Sequence, residues 1–163
     1  PVPDKQTVLR ALDSARWAPN HRLSEPWRFY WVGPQTKAAI IELNTRALAA
    51  TKGPAAAEKK AVSWREIPGW LVVTCQKSTD PLQAQEDYAA CACAIHNFSL
   101  SLFAEGIGSK WSTGPVTREA EFYDLLWIDP EAEQVVGLLW YGYAADVPQT
   151  GRKALEQCLV ELP

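Results

Sequence analysis

The chain has 163 residues, the usual size of one domain, so we expect one domain over residues 1–163 rather than two. Its 47% apolar and 21% charged residues are typical of a folded globular protein and exclude a disordered or fibrous chain. The net charge of -3 gives no electrostatic reason to expect nucleic acid, and without a membrane-length apolar run or a signal peptide we expect a soluble, cytoplasmic protein with no membrane partner.

The first part of the chain predicts helices around one aromatic strand. Asp4 is a good N-cap residue, and Pro19 lies just beyond the end of the first periodic segment. Aromatic and β-branched residues before Gly33-Pro34 are typical of a strand. The predicted elements are a helix over 4–17, a strand over 27–32, a helix over 36–50 and a polar helix or excursion over 51–62.

The second part alternates apolar strands with helices. The strand at 70–75 is almost continuously apolar, which favours a central position in the sheet. Turn residues predict a loop before the next helix, and Gly106 is placed to end that helix. The predicted elements are a strand over 70–75, a loop over 76–85, a helix over 86–105, a strand over 108–113, a helix over 117–126 and a strand over 134–141.

The helix at 86–105 is apolar on most of its sides. Such a helix must be buried nearly all round, either in the centre of the domain or in a subunit interface. His96 lies within it, and we expect this histidine to be a buried structural residue. We also expect the four cysteines, at positions 75, 91, 93 and 158, to be buried, reduced thiols.

Several common catalytic motifs are absent from the sequence. Gly106-Ile107-Gly108 follows a helix and precedes a strand, which is the reverse of the order that a dinucleotide fingerprint requires. The sequence has no P-loop and no Gly-x-Ser-x-Gly elbow. Two histidines and no paired cysteine motif argue against a zinc site, so we expect no metal.

Two segments concentrate polar and aromatic groups. His21 lies in a loop flanked by prolines, where it is either an ordinary surface histidine or one presented to a ligand. Lys110-Trp111-Ser112-Thr113 places a cation, an indole and two hydroxyls at the end of a strand. That string suits a heteroaromatic ligand, and it would also serve as a strand terminus and turn.

Motifs along nearly the whole chain resemble those of the FMN-dependent nitroreductase family. The segment from Ala15 to Phe29, ARWAPNHRLSEPWRF, is similar to the family pattern A-x-x-A-P-x-x-x-x-x-[QE]-P-W-x-F. The short chain and the histidine after the proline make it most similar to the small, single-domain branch. Further matches are DYAA at 87–90 with Asn97, AEGIGSKWSTG at 104–114, and VGLLWYG at 136–142 followed by a basic tail.

The resemblance implies an α+β fold with a central, mostly antiparallel sheet flanked by helices. It also implies an intertwined homodimer with one FMN in each of two interface clefts. The resemblance implies that Pro19, Asn20, His21 and Leu23 of one subunit cover the flavin ring, and that Trp111, Ser112 and Thr113 of the other border it. Trp17 and Lys110 are further expected contacts with FMN, and Arg152 and Lys153 are expected to bind its phosphate. His21 and Lys110 are also the candidates to stabilise the reduced flavin.

The implied activity is hydride transfer from NAD(P)H through flavin N5 to a nitroaromatic or a quinone, in a ping-pong sequence. Two alternatives remain open: a flavin-dependent dehydrogenase or oxidase of the same fold, and a non-catalytic protein that binds flavin or another planar ligand. Family members begin with an Arg-Arg-Ser-type segment that binds the phosphate. Because the sequence begins at Pro1 and contains no Met, we expect this segment to be missing.

Overall fold

Four antiparallel strands form the centre of the computed structural model, which describes residues 1–163. Their order across the sheet is β1-β2-β4-β3, so β1 and β3 are the two edges. The α+β fold with an antiparallel sheet is therefore confirmed. The strands are β1 (Trp27–Trp31), β2 (Gly69–Gln76), β3 (Gly108–Ser112) and β4 (Glu133–Gly142).

Helices cover both faces of this sheet. One face packs on α1 and α4, and the other packs on α2, α3 and α5. None of the helices has the length and apolarity needed to cross a membrane. The helices are α1 (Lys5–Ala15), α2 (Pro34–Lys52), α3 (Pro54–Arg65), α4 (Pro81–Ala104) and α5 (Ala120–Leu126), with short 3₁₀ turns at His21–Leu23, Pro115–Arg118 and Leu155–Gln157.

Strand β2 is central, as its apolar sequence predicts. Because side chains alternate along a strand, Leu71 and Val73 enter the α1/α4 layer while Trp70 and Val72 enter the opposite layer. All four are buried, with exposed fractions of 0–1%. A strand with apolar residues at consecutive positions can only be stable between two such layers.

Three tryptophans form a cluster in the second layer. The ring centroids of Trp64, Trp70 and Trp140 are 5.1 to 5.8 Å apart, in edge-on and tilted arrangements that aromatic pairs prefer. These residues therefore belong to the core and offer no surface to a planar ligand. The exposed tryptophans include Trp17 and Trp127, with exposed fractions of 73% and 94%.

A polar network joins three strands at one end of the sheet. The Glu133 carboxylate accepts hydrogen bonds from Arg28 at 2.7 Å, from Tyr30 at 3.0 and 3.1 Å, and from Thr74. Glu133 is only 7% exposed, so these donors compensate a charge taken out of water. Burial raises the pKa of Tyr30, which keeps its hydroxyl a donor.

Two predicted helices have different bounds in the structure. Helix α4 begins at Pro81, five residues before the predicted start, because the Asp80 side chain accepts from Leu82 N at 2.9 Å and caps it. The predicted helix over 117–126 is instead a 3₁₀ turn and then α5. Glu119, between them, has an extended ψ of 137°.

One side of α4 is exposed and apolar, so this helix is not buried all round within one chain, and burial in a subunit interface stays a prediction. We call this row the α4 stripe. His96 and Cys93 lie on it, which corrects the prediction that both are buried; Cys158, in the tail, is also exposed. The α4 stripe consists of Leu82, Ala89, Cys93, His96, Leu100 and Phe103, all exposed and separated by three, four or seven residues, with Gln85 as a polar residue on the same side.

The last twenty residues form an extended tail. Every residue of the tail, 144–163, is exposed, although it carries apolar side chains. Leu155 is 70% exposed and Val160 is 79% exposed. The apolar side chains of the tail are therefore not buried against the rest of their own chain.

Candidate functional site

The first segment expected to contact a ligand, the 18–26 loop, has an unusual backbone. Arg22, Leu23 and Glu25 have φ values of 57°, 51° and 44°, in the left-handed region. For residues with a Cβ atom this conformation costs about 1–2 kcal/mol each. Such strain persists only where surrounding contacts enforce it, and it concentrates at functional sites.

Asn20 braces the loop from inside. Its Oδ1 accepts from Glu25 N at 2.9 Å, and its Nδ2 donates to the Ala18 carbonyl oxygen at 3.1 Å. One side chain thus holds both ends of the loop. The predicted site residue Asn20 therefore has a structural task within its own chain.

Two hydrogen bonds to side chains of α4 fix the loop. His21 Nδ1 is 2.6 Å from Glu86 Oε2, and Ser24 Oγ donates to Asp87 Oδ1 at 2.6 Å. Gln83 Nε2 also donates to Asp87 Oδ1, at 2.8 Å. Asp87 is 5% exposed, and these donors compensate its burial.

Ser24, Gln83 and Glu86 are candidate functional residues that the sequence motifs do not reveal. A signal was present for α4, since Glu86 and Asp87 are the only carboxylates within Pro81–Ala104. Carboxylates in an otherwise apolar helix need partners. Which partners they have depends on a loop more than 60 residues earlier, as the sequence separations of 65 and 63 show.

The remaining side chains of this region face solvent. Leu23 is 81% exposed and Trp17 is 73% exposed, while the His21 side chain is 53% exposed. Trp17 lines an open groove with Ser14, Asn97, Leu100 and Ser101. The loop therefore presents apolar groups and one imidazole outward, on a rigid base.

The second predicted segment lies on the edge strand β3. Trp111 Nε1 donates to the Val136 carbonyl oxygen at 3.2 Å, and the indole lies over Gly137. It is 39% exposed, so part of the ring remains open to a ligand. Trp111 is opposite Leu139, which belongs to the α1/α4 layer, so its indole is on the same face of the sheet as α4.

Lys110 points to the other face of the sheet. It is opposite Trp140 in the ladder, and its Nζ lies 5.5 Å from the centre of that ring. Because side chains alternate along a strand, Ser112 shares the face of Lys110 rather than that of Trp111. Thr113 follows the strand, and its carbonyl oxygen accepts from Arg118 at 3.3 Å.

The third predicted group lies on the tail. Arg152 makes hydrogen bonds only to its neighbours, the Thr150 hydroxyl at 3.3 Å and the Gly151 carbonyl oxygen at 3.0 Å. Lys153 is exposed beside it. Both cations are therefore free to bind an anion.

The three groups do not meet within one chain. The 18–26 loop leads into β1, and Trp111 is on β3, so they flank opposite edges of a four-stranded sheet. With strands about 4.8 Å apart, the edges are separated by about 14 Å. Three surface clefts of the single chain, including the one that Trp17 lines, contain no residue of β3.

Comparison with known proteins identifies the family. The model of the Nitroreductase family matches residues 1–143. The chain belongs to this family. A Bacillus subtilis (strain 168) relative named "Putative NAD(P)H nitroreductase YfhC" is 30% identical over 158 residues, which cover 94% of this chain and 80% of the relative. The resemblance read from the motifs is thus confirmed, and family membership supports an oxidoreductase.

Solved structures share the fold of this nitroreductase-family chain. A nitroreductase-like family protein from Bacillus cereus is 24% identical with a TM-score of 0.85, over 99% of this chain and 87% of that one. An iodotyrosine deiodinase crystallised with FMN and 3-iodo-L-tyrosine is 23% identical with a TM-score of 0.75, over 94% of this chain and 86% of that one. The family's fold therefore supports more than one reaction.

Proposed function

We propose that the chain is an FMN-dependent oxidoreductase that works as a homodimer and transfers hydride from NAD(P)H to nitroaromatic or quinone acceptors. The observation that carries this proposal is the placement of the 18–26 loop and Trp111 at opposite edges of one sheet. A cleft that uses both must take them from two copies of the chain. A symmetric dimer would then contain two equivalent clefts.

The α4 stripe supports the dimer. Its residues Leu82, Leu100 and Phe103 are 63%, 52% and 73% exposed, and no Lys or Arg occurs anywhere in α4. An apolar row of this length on an isolated chain is typical of an interface rather than of a solvent-facing surface. We infer that the α4 stripe packs against the second copy.

The extended tail, residues 144–163, supports a dimer in which the two chains are intertwined. Apolar residues at 155, 159, 160 and 162 have no cover from their own chain. A partner surface would bury them and would carry Arg152 and Lys153 away from the body of their own subunit. Two adjacent cations with free donors suit a phosphate dianion, the group that FMN presents at one end.

The residues present fit FMN chemically. Bound FMN supplies hydride acceptance and donation at N5. The part-exposed indole of Trp111 offers an apolar ring surface, and exposed Leu23 offers an aliphatic one, both of which exclude water from a flat ring. Pro19 and the braced Asn20 keep the loop rigid, so little ordering is needed when the ring binds.

The test uses the purified full-length protein. We expect a dimer that binds FMN, loses its yellow colour on anaerobic addition of NADH or NADPH, and regains it with a nitroaromatic or a quinone. Bound flavin that NAD(P)H does not bleach would favour the non-catalytic alternative. Flavin reduced by an organic substrate without NAD(P)H would favour the dehydrogenase or oxidase. A colourless monomer that takes up no FMN would contradict the proposal.

A further inference from the structure

The side chains of His21 and Glu86 form a close contact that is partly exposed to solvent. His21 Nδ1 and Glu86 Oε2 are 2.6 Å apart, and the two side chains are 53% and 33% exposed. An ionised carboxylate only accepts hydrogen bonds, so the proton of this contact is on Nδ1. Nε2 makes no hydrogen bond within the chain.

The loop does not need this pair merely to stay attached. Ser24 already binds Asp87, and Asn20 braces the loop from inside. The pair adds an ionisable ring next to three left-handed residues, where the backbone itself is strained. The contact with Glu86 holds the imidazole in one direction beside this strained backbone.

Glu86 is the carboxylate that contacts the His21 ring, and the other charged groups nearby have different partners or none. On the loop, Arg22 and Glu25 are the charged neighbours of His21, and Glu25 makes no side-chain ion pair. On α4, Asp87 follows Glu86 and accepts from Ser24 and Gln83 instead. Arg16, at the end of α1, pairs with Asp13 at 2.6 Å.

We propose that His21 donates a proton from Nε2 to an oxygen of the bound acceptor, and that Glu86 is the positioning residue that holds the ring. This assignment rests on the proposed function. A quinone that becomes a hydroquinone gains one hydride and one proton; a nitro group that becomes a nitroso group gains the same and releases water. The donor is the doubly protonated ring: Nδ1–H stays on Glu86 while the Nε2–H bond breaks and an O–H bond forms. The ring is left neutral with its proton on Nδ1, and solvent then returns a proton to Nε2.

The test separates proton delivery from electron transfer. The FMN-loaded protein is reduced with dithionite, so that NAD(P)H plays no part, and is mixed in a stopped-flow instrument with a quinone or with ferricyanide. Ferricyanide takes electrons without protons. We expect His21→Gln to slow reoxidation by the quinone about 100-fold and to leave reoxidation by ferricyanide unchanged. The wild-type quinone rate should fall as pH rises, and this fall should vanish in His21→Gln.

Glu86 is tested by rescue. Glu86→Ala should slow the quinone step about tenfold, because the ring loses its orientation. Glu86→Gln should restore most of the rate, since its amide oxygen still accepts from Nδ1–H. Glu58→Gln is the matched control, because Glu58 also forms an exposed ion pair, with Arg65 at 2.9 Å, on a helix that contributes nothing to the site.

A second readout does not depend on turnover. The chain has only two histidines, so the nitrogen NMR signals of His21 can be assigned by comparison with His96→Gln. For the neutral ring, the state left after the proton has been donated, we expect the Nδ1–H tautomer in the wild type and a mixture of tautomers in Glu86→Ala. FMN affinity is measured on each variant, and the quinone rates are compared with every variant saturated with FMN.

The outcomes are distinguishable. If His21→Gln slows both acceptors equally, or neither, the proton-donor assignment is wrong while the proposed function stands. If Ser24→Ala, which loosens the loop but keeps the pair, reproduces the selective loss with quinone, the role of His21 is only structural. A wild-type protein that binds no FMN contradicts both proposals.

Discussion

The indole of Trp111 lies so close to Gly137 that a methyl group there would come within 2.0 Å of Trp111 Nε1 and 2.4 Å of its Cδ1. Glycine is therefore required at position 137 for packing rather than for backbone freedom. The contact sets the position of the one aromatic ring of β3 that remains part-exposed. It links a glycine in the buried strand β4 to a surface of the proposed FMN cleft.

We expect Gly137→Ala to displace this ring. Overpacking of this kind costs about 1–3 kcal/mol, and the displaced indole should also weaken FMN binding. Thermal unfolding and an FMN titration would measure the two effects. Gly33→Ala is the control, since a methyl group there meets nothing within 4 Å. Unchanged FMN affinity in a folded Gly137→Ala protein would remove Trp111 from the proposed cleft.

Arg152 and Lys153 should account for much of the affinity for FMN. Replacing both by Ala removes the charge-assisted hydrogen bonds to the phosphate, and we expect a loss of about 30-fold, about 2 kcal/mol, in a fluorescence titration. The effect should be smaller for riboflavin, which has no phosphate. Lys52→Ala with Lys59→Ala is the control for loss of two exposed cations. An equal loss for both flavins would contradict the phosphate assignment.

Thiol accessibility reports on the α4 stripe. Cys75 and Cys91 are buried in each chain, whereas Cys93 is on the stripe and exposed. In a Cys158→Ser background, the proposed dimer should therefore show no fast-reacting thiol with a disulfide reagent. Leu100→Glu should break the dimer by placing a charge in an apolar interface, and one thiol should then react fast.

Light scattering on the same samples checks the mass. A wild-type monomer whose Cys93 reacts at once would contradict the proposed interface. Glu42→Gln, a change on α2 outside the stripe, is the control for altered surface charge.

Tyr141 should make the fold sensitive to alkaline pH. Burial raises the pKa of Tyr141 to about 12 from an ordinary value of 10.0. The folded state thus holds this proton more tightly than the unfolded state, so its contribution is complete below pH 10.0 and is lost as pH rises to about 12. The free energy of unfolding should fall by about 2 kcal/mol more in the wild type than in Tyr141→Phe across this range. Denaturant titrations at each pH measure the difference; parallel curves would contradict the assignment.

Most of the fold could be predicted from the sequence because apolar periodicity reports directly on burial. The unbroken apolar run at 70–75 predicted a central strand, and β2 has a neighbour on each side. The start of α4 was mispredicted because Ser78, Thr79 and Asp80 are turn residues, although Asp80 followed by Pro81 is also a helix-start signal.

The candidate site could be predicted only in part. Motif resemblance pointed to the 18–26 loop, but its strain was hidden because the left-handed positions are occupied by Arg22, Leu23 and Glu25 rather than glycine. The contact between His21 and Glu86 joins residues 65 positions apart, and no local pattern reports on such a distance. Likewise, an apolar helix sequence does not distinguish burial within one chain from burial between two.

The separation of the 18–26 loop and Trp111 across the sheet has a consequence for mixed assemblies. In the proposed dimer each cleft takes one wall from each chain. A mutant with a defective loop therefore forms a homodimer in which both clefts are defective, and so does a mutant with a defective β3. When the two defective chains are unfolded and refolded together, each hybrid pairs the two intact walls in one cleft and the two damaged walls in the other. Complementation between two inactive mutants would follow directly from the topology.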